Sequence, residues 1–227
     1  IKKIANAAKA AGIKKIKITG GEPLLREDII EIVGAFSDFE EVSLVTNGIF
    51  LEKYAFKLKK AGLNRINIGC DSLKNKHLKN KKNMIKGLNA CKKAGFSNLK
   101  LNMVVLKGVN ECEIKDMIDF AKKNKVALQL IELINTNEEF FKKYYFSLYD
   151  VEKYLESKAL LVTVKDMQNR KIYNLGSFVI EVVRPFSNHF CENCKRVRIT
   201  SDGKIKTCLL KNDNLADFKE EDFLLEI

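Results

Sequence analysis

The sequence of 227 residues contains no uninterrupted run of eighteen apolar residues, which excludes a conventional membrane-spanning helix. We also expect no secretory signal peptide, because the opening Ile1-Lys2-Lys3-Ile4 spaces apolar residues at helical intervals and interleaves them with lysine. Low-complexity linkers are absent as well. The initiator methionine is missing, so we expect a fragment or a trimmed chain.

Cysteine is too sparse for a disulfide scaffold, since the chain has six. Without a secretory signal, this number predicts a reducing, cytoplasmic location. Cys70, Cys91 and Cys112 fall within apolar strand or helix patterns and are predicted to be core residues. The other three cysteines form a separate group near the C-terminal end.

Apolar residues make up 46% of the chain and charged residues 31%, which predicts a folded core and excludes general disorder. The formal net charge of +12 favours anionic partners such as nucleotides, nucleic acid or acidic membranes. Lysines scattered on the solvated faces of helices offer a simpler explanation for most of that charge. Arginine is rarer, and three of the six arginines lie between residues 184 and 198. This concentration suggests a need for the planar, bidentate guanidinium group.

Segments with helical and strand periodicity alternate through the first half of the chain. The sequence predicts an opening helical stripe at Ile1–Ala11, then strands at 14–19, 42–46, 65–70, 98–105 and 126–133, with connecting helices at 27–36, 51–61, 79–93 and 113–124. Strict alternation indicates a parallel α/β sheet or barrel. Polar residues at every second strand position, such as Lys17 and Lys100, favour a barrel with a polar interior over a doubly wound sheet.

A βα repeat should begin with a strand, so we expect one strand and its loop upstream of Ile1. The character of the sequence changes after Glu138: a helix is predicted at 148–157, with strands at 160–164, 170–174, 177–183, 196–200 and 204–209. Ser201-Asp202-Gly203 predicts a hairpin turn that pairs Ser201 with Lys204 and Cys208 with Val197. The predicted organisation is a partial barrel at 1–138 and a C-terminal domain at 139–227.

Three cysteines converge in this predicted hairpin: Cys191 and Cys194 form a Cys-x-x-Cys pair, and Cys208 follows on the next strand. A zinc site with His189 as the fourth ligand is one interpretation. A [4Fe–4S] cluster held by three thiolates, with one iron left open, is the other. Spacing alone does not choose between zinc and iron–sulfur.

Thr19-Gly20-Gly21-Glu22-Pro23 follows the first predicted strand, at the strand end where parallel α/β folds build their sites. The glycines allow a ligand to approach the backbone, and Glu22 can accept from an ammonium group. A Gly-Gly turn with proline opening a helix is the structural alternative.

Together these motifs resemble those of the MoaA family of radical S-adenosylmethionine (SAM) enzymes, the GTP 3′,8-cyclases of molybdenum cofactor biosynthesis. The resemblance spans nearly the whole chain in order. It rests on the segments Ile18–Arg26, Thr46–Gly48, Asn67–Leu73, Lys100–Asn102, Lys107–Asn110, Ile131–Leu133 and Phe190–Lys204 with Cys208. The Gly-Gly-Glu-Pro element is common to radical SAM enzymes, whereas Cys-x-x-Cys-x-Arg-x-Arg with Asp-Gly-Lys and a third cysteine is more specific.

The resemblance implies an incomplete (βα)₆ TIM-type barrel of the radical SAM class with a small C-terminal hairpin domain. It also implies roles for individual residues. Lys17, Lys100, Arg196 and Arg198 would bind GTP, with Arg196 and Arg198 also catalytic. Gly20, Gly21, Glu22, Gly69 and Ile134 would bind SAM. Cys191, Cys194 and Cys208 would hold an auxiliary [4Fe–4S] cluster whose open iron meets guanine.

Several positions depart from the family pattern: Val45 replaces a usual threonine, Gly69 a serine, Ile134 a methionine and Lys195 an asparagine. The Cys-x-x-x-Cys-x-x-Cys motif, which binds the SAM-cleaving cluster in the family, is absent. In the family this motif lies with the first strand, which we also expect upstream of Ile1. The complete enzyme would need SAM and a second [4Fe–4S] cluster, and we expect this chain alone not to cleave SAM.

The implied reaction is a lyase reaction in which a SAM-derived radical removes the ribose 3′ hydrogen of GTP and the sugar carbon attacks guanine C8. The implied partners are GTP, SAM, the cyclic pyranopterin synthase that acts next, and a second copy in a homodimer, without membrane or nucleic acid.

Two alternative functions are another radical SAM enzyme with an auxiliary cluster and a basic zinc protein that binds nucleic acid. The latter lacks the interleaved aromatic residues expected for base stacking.

Overall fold

The structure is a computed structural model that describes residues 1–74, 81–185, 191, 193–208 and 215–218. Its helices are α1 (Lys2–Ala10), α2 (Ile29–Ala35), α3 (Leu51–Lys60), α4 (Lys81–Lys93), α5 (Ile114–Asn124), α6 (Glu138–Tyr144) and α7 (Tyr149–Lys158). Its strands are β1 (Lys15–Ile18), β2 (Glu41–Thr46), β3 (Arg65–Gly69), β4 (Asn98–Val105), β5 (Ala127–Glu132), β6 (Leu161–Lys165), β7 (Arg170–Asn174), β8 (Val179–Val183), β9 (Arg198–Ile199), β10 (Lys204–Lys206) and β11 (Leu215–Asp217).

The predicted alternation of helices and strands is confirmed. The bounds of β4 and β7 agree with the sequence prediction, and most other elements differ from it by one or two residues. Helix α6 and strand β11 were not predicted. No helix in the described part of the chain has the length and apolar character needed to cross a membrane.

The chain divides into two compact units. The first contains Ile1–Ile66, Lys86–Ser97 and Lys195–Ile227, and the second contains Asn67–Ile85 and Asn98–Cys194. These units do not follow the boundary predicted at residue 138, and the predicted pair of domains stays a prediction.

In the first unit, β1 pairs in parallel with β2, with Ile16 beside Val42 and Ile18 beside Leu44. The start of β3 joins through the Asn64 N–H, which donates to the Val42 carbonyl at 2.9 Å. Helices α2 and α3 bury apolar faces that are typical of crossover helices. Their fully buried residues include Ile29, Val33, Leu51, Ala55 and Leu58.

The C-terminal hairpin belongs to this first unit. Strands β9, β10 and β11 form a small antiparallel sheet in which Ile205 lies opposite Ile199 and Ala216. Ile205 and Ala7 of α1 are buried together. Partly buried apolar residues complete this small core: Ala11, Ile13, Val197, Ile199, Ala216 and Phe218.

The predicted register of the hairpin is wrong by one residue. Thr200 rather than Ser201 lies opposite Lys204, because the Thr200 N–H donates to the Lys204 carbonyl at 2.8 Å. The turn therefore has three residues, and Gly203 adopts a φ of 84°, the left-handed conformation that such turns require. The pairing of Lys206 with Arg198 moves the position opposite Cys208 from Val197 to Arg196.

In the second unit, β4, β5 and β8 run parallel, and β7 and β6 add antiparallel in the order β4-β5-β8-β7-β6. Every second residue of β4 is buried, from Leu99 to Val105, and the residues between them are less buried. This alternation confirms that one face of the sheet packs into a core while the other carries polar side chains.

Candidate functional site

The loop after β1 is held by the carboxylate of Glu22. The Leu24 N–H and the Thr46 hydroxyl donate to Glu22 Oε1 at 3.0 and 2.6 Å, and the Asn47 N–H donates to Oε2 at 2.7 Å. Three hydrogen bonds therefore fix the Gly-Gly-Glu-Pro loop against the end of β2. Among the described residues, and apart from the chain neighbours, no atom lies within 4 Å of the place where a Cβ would stand on Gly20 or Gly21, so the backbone of both is open on this side.

A second loop, residues 71–74 after β3, is anchored by the carboxylate of Glu113. Glu113 Oε1 accepts from the Ser72 hydroxyl at 2.6 Å, and Oε2 accepts from the N–H groups of Leu73 and Lys74 at 2.7 and 3.1 Å. Burial of the Glu113 carboxyl opposes its ionisation, but these hydrogen bonds prevail and hold its pKa below the usual value. Glu113 thus orders the loop that follows Gly69.

Asn110 supports the same loop from its other side. Its amide donates to the carbonyls of Asp71 and Val104 at 2.7 and 2.8 Å, and the Val104 N–H donates to the Asp71 carboxylate at 2.9 Å. Desolvation raises the pKa of Asp71, although hydrogen bonding to Val104 opposes this effect. The sequence analysis did not identify Glu113, because a glutamate at the start of a helix usually only complements the helix dipole.

The polar face of the second unit gathers four charged side chains. Glu181 on β8 accepts from Lys100 on β4, from Lys165 on β6 at 3.1 Å and from Arg170 on β7 at 2.6 Å. The Gln129 amide on β5 adds a hydrogen bond at 2.9 Å. We refer to Lys100, Lys165, Arg170 and Glu181 as the Glu181 cluster.

Sheet register explains why these residues meet. Gln129 lies beside Glu181 across β5 and β8, Ile172 lies beside Glu181 across β7 and β8, and Lys165 lies beside Arg170 across β6 and β7. Side chains at matched positions share one face of a sheet. Each of these polar residues is therefore on the face opposite the core.

Charge and burial compete within the Glu181 cluster. Burial alone would raise the pKa of the Glu181 carboxyl, but the attraction of Lys100, Arg170 and Lys165 prevails and lowers it to about 2. The pKa of Lys100 is lowered, because its burial and the nearby Lys165 and Arg170 outweigh the attraction of Glu181. The Lys100 and Arg170 side chains are each only 12% exposed.

The remaining GTP-binding residues implied by the sequence lie in the first unit. Lys17 is exposed on β1. Arg196 and Arg198 are half-buried and alternate with Val197 and Ile199, which pack into the small hairpin core. The two arginines therefore share the opposite face of the hairpin.

The structure places the two remaining SAM-binding candidates in the second unit. Gly69 ends β3, and the half-buried Ile134 follows the end of β5 at Glu132. The Thr136 N–H donates to the Ile134 carbonyl at 3.0 Å, which tightens the loop there. No observation in the structure tests their binding role.

The cysteines divide between the units. Cys191 and Cys194 are exposed in the second unit, where the Cys194 N–H donates to the Cys191 carbonyl at 3.1 Å, and Cys208 is half-buried in the first. No group of three or more histidine, cysteine or acidic residues suited to a metal ion occurs among the described residues. His189 lies outside the described residues.

The other three cysteines differ in their burial. Cys70 and Cys91 are buried as predicted, and burial raises the pKa of Cys91 to about 12. The prediction for Cys112 is wrong, because its side chain is exposed. In the turn Glu111–Glu113, the Glu113 carboxylate takes the buried position to bind the 71–74 loop, so Cys112 faces outward.

Comparison with known families accounts for most of the chain. The sequence model of the radical SAM superfamily matches residues 1–121, and that of Molybdenum Cofactor Synthesis C matches residues 126–221. The probable GTP 3′,8-cyclase of Methanosarcina mazei is 45% identical over 94% of this chain and 67% of its own length. The probable GTP 3′,8-cyclases of Methanothermobacter marburgensis and Thermococcus kodakarensis are 41% and 43% identical, each over 76% of its own length.

A solved structure shares the fold. Streptococcus suis SuiB bound to S-adenosylmethionine matches 95% of this chain with a TM-score of 0.71, at 17% sequence identity. The chain spans about half of that structure, 55% of its length. This likeness confirms the predicted α/β fold class of radical SAM enzymes.

Proposed function

Because this chain belongs to the radical SAM superfamily, and within it to the GTP 3′,8-cyclase family, we propose that it serves as a GTP 3′,8-cyclase in molybdenum cofactor biosynthesis. The observation that carries the proposal is the identity of 45% that the Methanosarcina relative maintains across 94% of the chain. The reaction would convert GTP to (8S)-3′,8-cyclo-7,8-dihydroguanosine 5′-triphosphate, a carbon–carbon bond formation of the lyase class.

In this proposal the chain's own residues bind and orient GTP. Lys17 and Lys100 neutralise phosphate oxygens, and Arg196 and Arg198 grip substrate through bidentate guanidinium hydrogen bonds. Lys100 suits this role because it projects from the polar face of β4, a strand in which every second residue is buried on the other face. Fixing the substrate in one orientation lowers the entropic barrier to the ring closure.

Binding of SAM is proposed at Gly20, Gly21, Glu22, Gly69 and Ile134. Two facts support it: the backbone of the Gly-Gly pair is accessible, and carboxylates with three or more hydrogen bonds hold both the loop of Glu22 and the loop after Gly69. Loops ordered before binding lose less conformational entropy when the ligand arrives. When bound and reduced by one electron, SAM would supply the organic radical that removes hydrogen from the substrate.

The auxiliary [4Fe–4S] cluster is proposed at Cys191, Cys194 and Cys208. The donor set fits such a group, because the two thiols of the Cys-x-x-Cys turn are exposed and none of the six cysteines forms a disulfide. When bound to these three thiolates, such a cluster would supply an open iron for the guanine ring. A homodimer, a cytoplasmic location and delivery of product to cyclic pyranopterin synthase remain predictions.

An anaerobic assay with GTP, SAM and a chemical reductant tests the proposal in the protein as it occurs in the cell. We expect the 3′,8-cyclised nucleotide by mass spectrometry. Replacing both Arg196 and Arg198 with alanine should reduce cyclisation at least about tenfold, which corresponds to roughly 1.4 kcal/mol of transition-state stabilisation.

The iron content and uncoupled SAM cleavage of the double variant serve as controls and should not change, because guanidinium groups do not bind iron. Arg26→Ala is a matched surface control, since Arg26 is exposed and pairs with the exposed Asp28. Normal cyclisation by the double variant would contradict the assigned role. Zinc without iron in anaerobically prepared protein would contradict the cluster, and SAM cleavage without a GTP product would indicate a different radical SAM reaction.

A further inference from the structure

The Glu181 cluster carries more positive charge than its single carboxylate balances. Lys100, Lys165 and Arg170 all contact Glu181, so the four side chains sum to a formal charge of +2. The Lys100 and Arg170 side chains are each only 12% exposed, and positive charge that is buried without its own counter-ion is unfavourable. A buried excess of cations is therefore suited to an additional anion.

The same polar face holds side-chain atoms that lack a hydrogen-bond partner. Within the described residues these buried atoms are Arg170 Nε, Asn67 Oδ1 and Asn102 Oδ1. Asn67 is only 4% exposed. A buried polar atom without a partner costs about 1–3 kcal/mol, so three of them on one face need an explanation.

Strand register places these atoms beside the cluster. The Cys70 N–H donates to the Asn102 carbonyl at 2.8 Å, which in a parallel pair sets Gly69 beside Asn102 and Asn67 beside Lys100. Asn102 in turn lies beside Gln129, and Gln129 beside Glu181. The unpartnered asparagine atoms are oxygens, which only accept hydrogen bonds, so of the three atoms Arg170 Nε is the one that can donate to an anion.

We propose that the Glu181 cluster is an anion-binding site for phosphate groups, in which Lys165 and Arg170 bind the ligand together with Lys100. Glu181 is the internal counter-ion of the three cations and competes with the phosphate for them. The ligand class is a polyphosphate, and the inference that it is the triphosphate of a nucleotide rests on the proposed function. No sequence motif had pointed to Lys165, Arg170 or Glu181.

A phosphate group fits this site better than a carboxylate does. A terminal phosphate carries close to two negative charges and several acceptor oxygens, which matches the excess of two positive charges. Arg170 contacts Glu181 through a terminal nitrogen, and its Nε has no hydrogen-bond partner in the part of the chain that the structure describes, so it can bind a second anion through a different edge of the guanidinium.

Calorimetric titration with inorganic tripolyphosphate tests the site. We expect Lys165→Ala to weaken binding at least about fivefold, the effect of losing one charge-assisted contact. Lys171→Ala is the matched control: Lys171 follows Arg170 on β7 but points to the other face, where it pairs with Glu156 at 2.8 Å. Equal affinities for both variants and the wild-type protein would overturn the inference.

Glu181→Gln tests the role of the internal counter-ion. The substitution preserves shape and removes a competing negative charge, so tripolyphosphate should bind more tightly and with a steeper dependence on salt. Unchanged or weaker binding in a folded protein would refute this role. Thermal unfolding verifies folding, and if Glu181→Gln does not fold, the partly exposed Lys165 still decides the question.

The two proposals fail in distinguishable ways. If GTP is cyclised but Lys165→Ala binds tripolyphosphate like the Lys171→Ala control, the function stands and the new site is refuted. If no cyclised nucleotide forms but Lys165→Ala selectively loses tripolyphosphate binding, the site stands and the proposed reaction is refuted.

Discussion

The second unit contains two buried ion clusters of opposite composition. In the Glu181 cluster three cations surround one carboxylate, whereas Arg184 is one cation between the carboxylates of Glu132 and Glu152, at 2.9 and 2.8 Å. The two clusters differ in how many of their polar atoms have hydrogen-bond partners. This difference separates a structural ion pair from a binding site.

Around Arg184 the carboxylate oxygens have neutral partners in addition to the cation. The Tyr173 hydroxyl donates to Glu152 at 3.0 Å, and the Leu148 N–H and Tyr145 hydroxyl donate to Glu132 at 2.9 and 3.3 Å. Such a network joins β5, β7, β8 and α7. It is complete without a ligand, whereas the Glu181 cluster has an excess of cations beside unpartnered donor and acceptor atoms.

The largest expected effect is on stability, from Arg184→Met. Removing the cation leaves two buried carboxylates facing each other, which should lower the free energy of unfolding by about 3–5 kcal/mol. Urea denaturation measures this, with Arg26→Met as a surface control that should not shift the midpoint. Affinity for tripolyphosphate in the folded protein should stay the same, because Arg184 belongs to the other cluster. If the Arg184→Met protein kept wild-type stability but changed its affinity for tripolyphosphate, Arg184 would belong to a binding site and not to a structural ion pair.

The second expected effect concerns pH. The folded-state pKa of Glu181 is lowered to about 2 from its ordinary 4.5, so the ionised carboxylate stabilises the fold above pH 4.5 and loses this effect as pH falls toward 2. The stability difference between wild type and Glu181→Gln should therefore shrink in that window, by on the order of 3 kcal/mol.

Urea unfolding at several pH values measures this change. Glu156→Gln is the matched control, because Glu156 forms an exposed pair with Lys171. A stability difference between wild type and Glu181→Gln that stays constant with pH would show that the cations around Glu181 do not favour its ionised form.

The smallest expected effect is from Tyr173→Phe. Tyr173 is fully buried, and its hydroxyl contributes one hydrogen bond to Glu152, so its loss should cost about 1 kcal/mol. Thermal or urea unfolding measures the change, with the exposed Tyr154→Phe as the control. A wild-type stability for Tyr173→Phe would mean that Arg184 alone satisfies Glu152, and the Arg184 network would then be less complete than its geometry indicates.

Much of the local structure follows from sequence periodicity. Alternation on β4 predicted both its bounds and the polar face that carries Lys100, because side chains of a strand must point to opposite faces. The hairpin was predicted from Asp202-Gly203, but its register was not, since a two-residue and a three-residue turn both accept this pair. Cys112 was misplaced because apolar character does not show which residue of a short turn faces inward.

The sequence alone determined the order of helices and strands, the resemblance to radical SAM cyclases and the candidate cysteines and arginines, because these depend on local spacing and on motifs. Only the tertiary structure decided that Lys100, Lys165, Arg170 and Glu181 meet. These residues lie on four strands, and the separation of 81 positions between Lys100 and Glu181 carries no periodic signal of contact. Their proximity depends on the strand order and register of the sheet, which long-range packing selects.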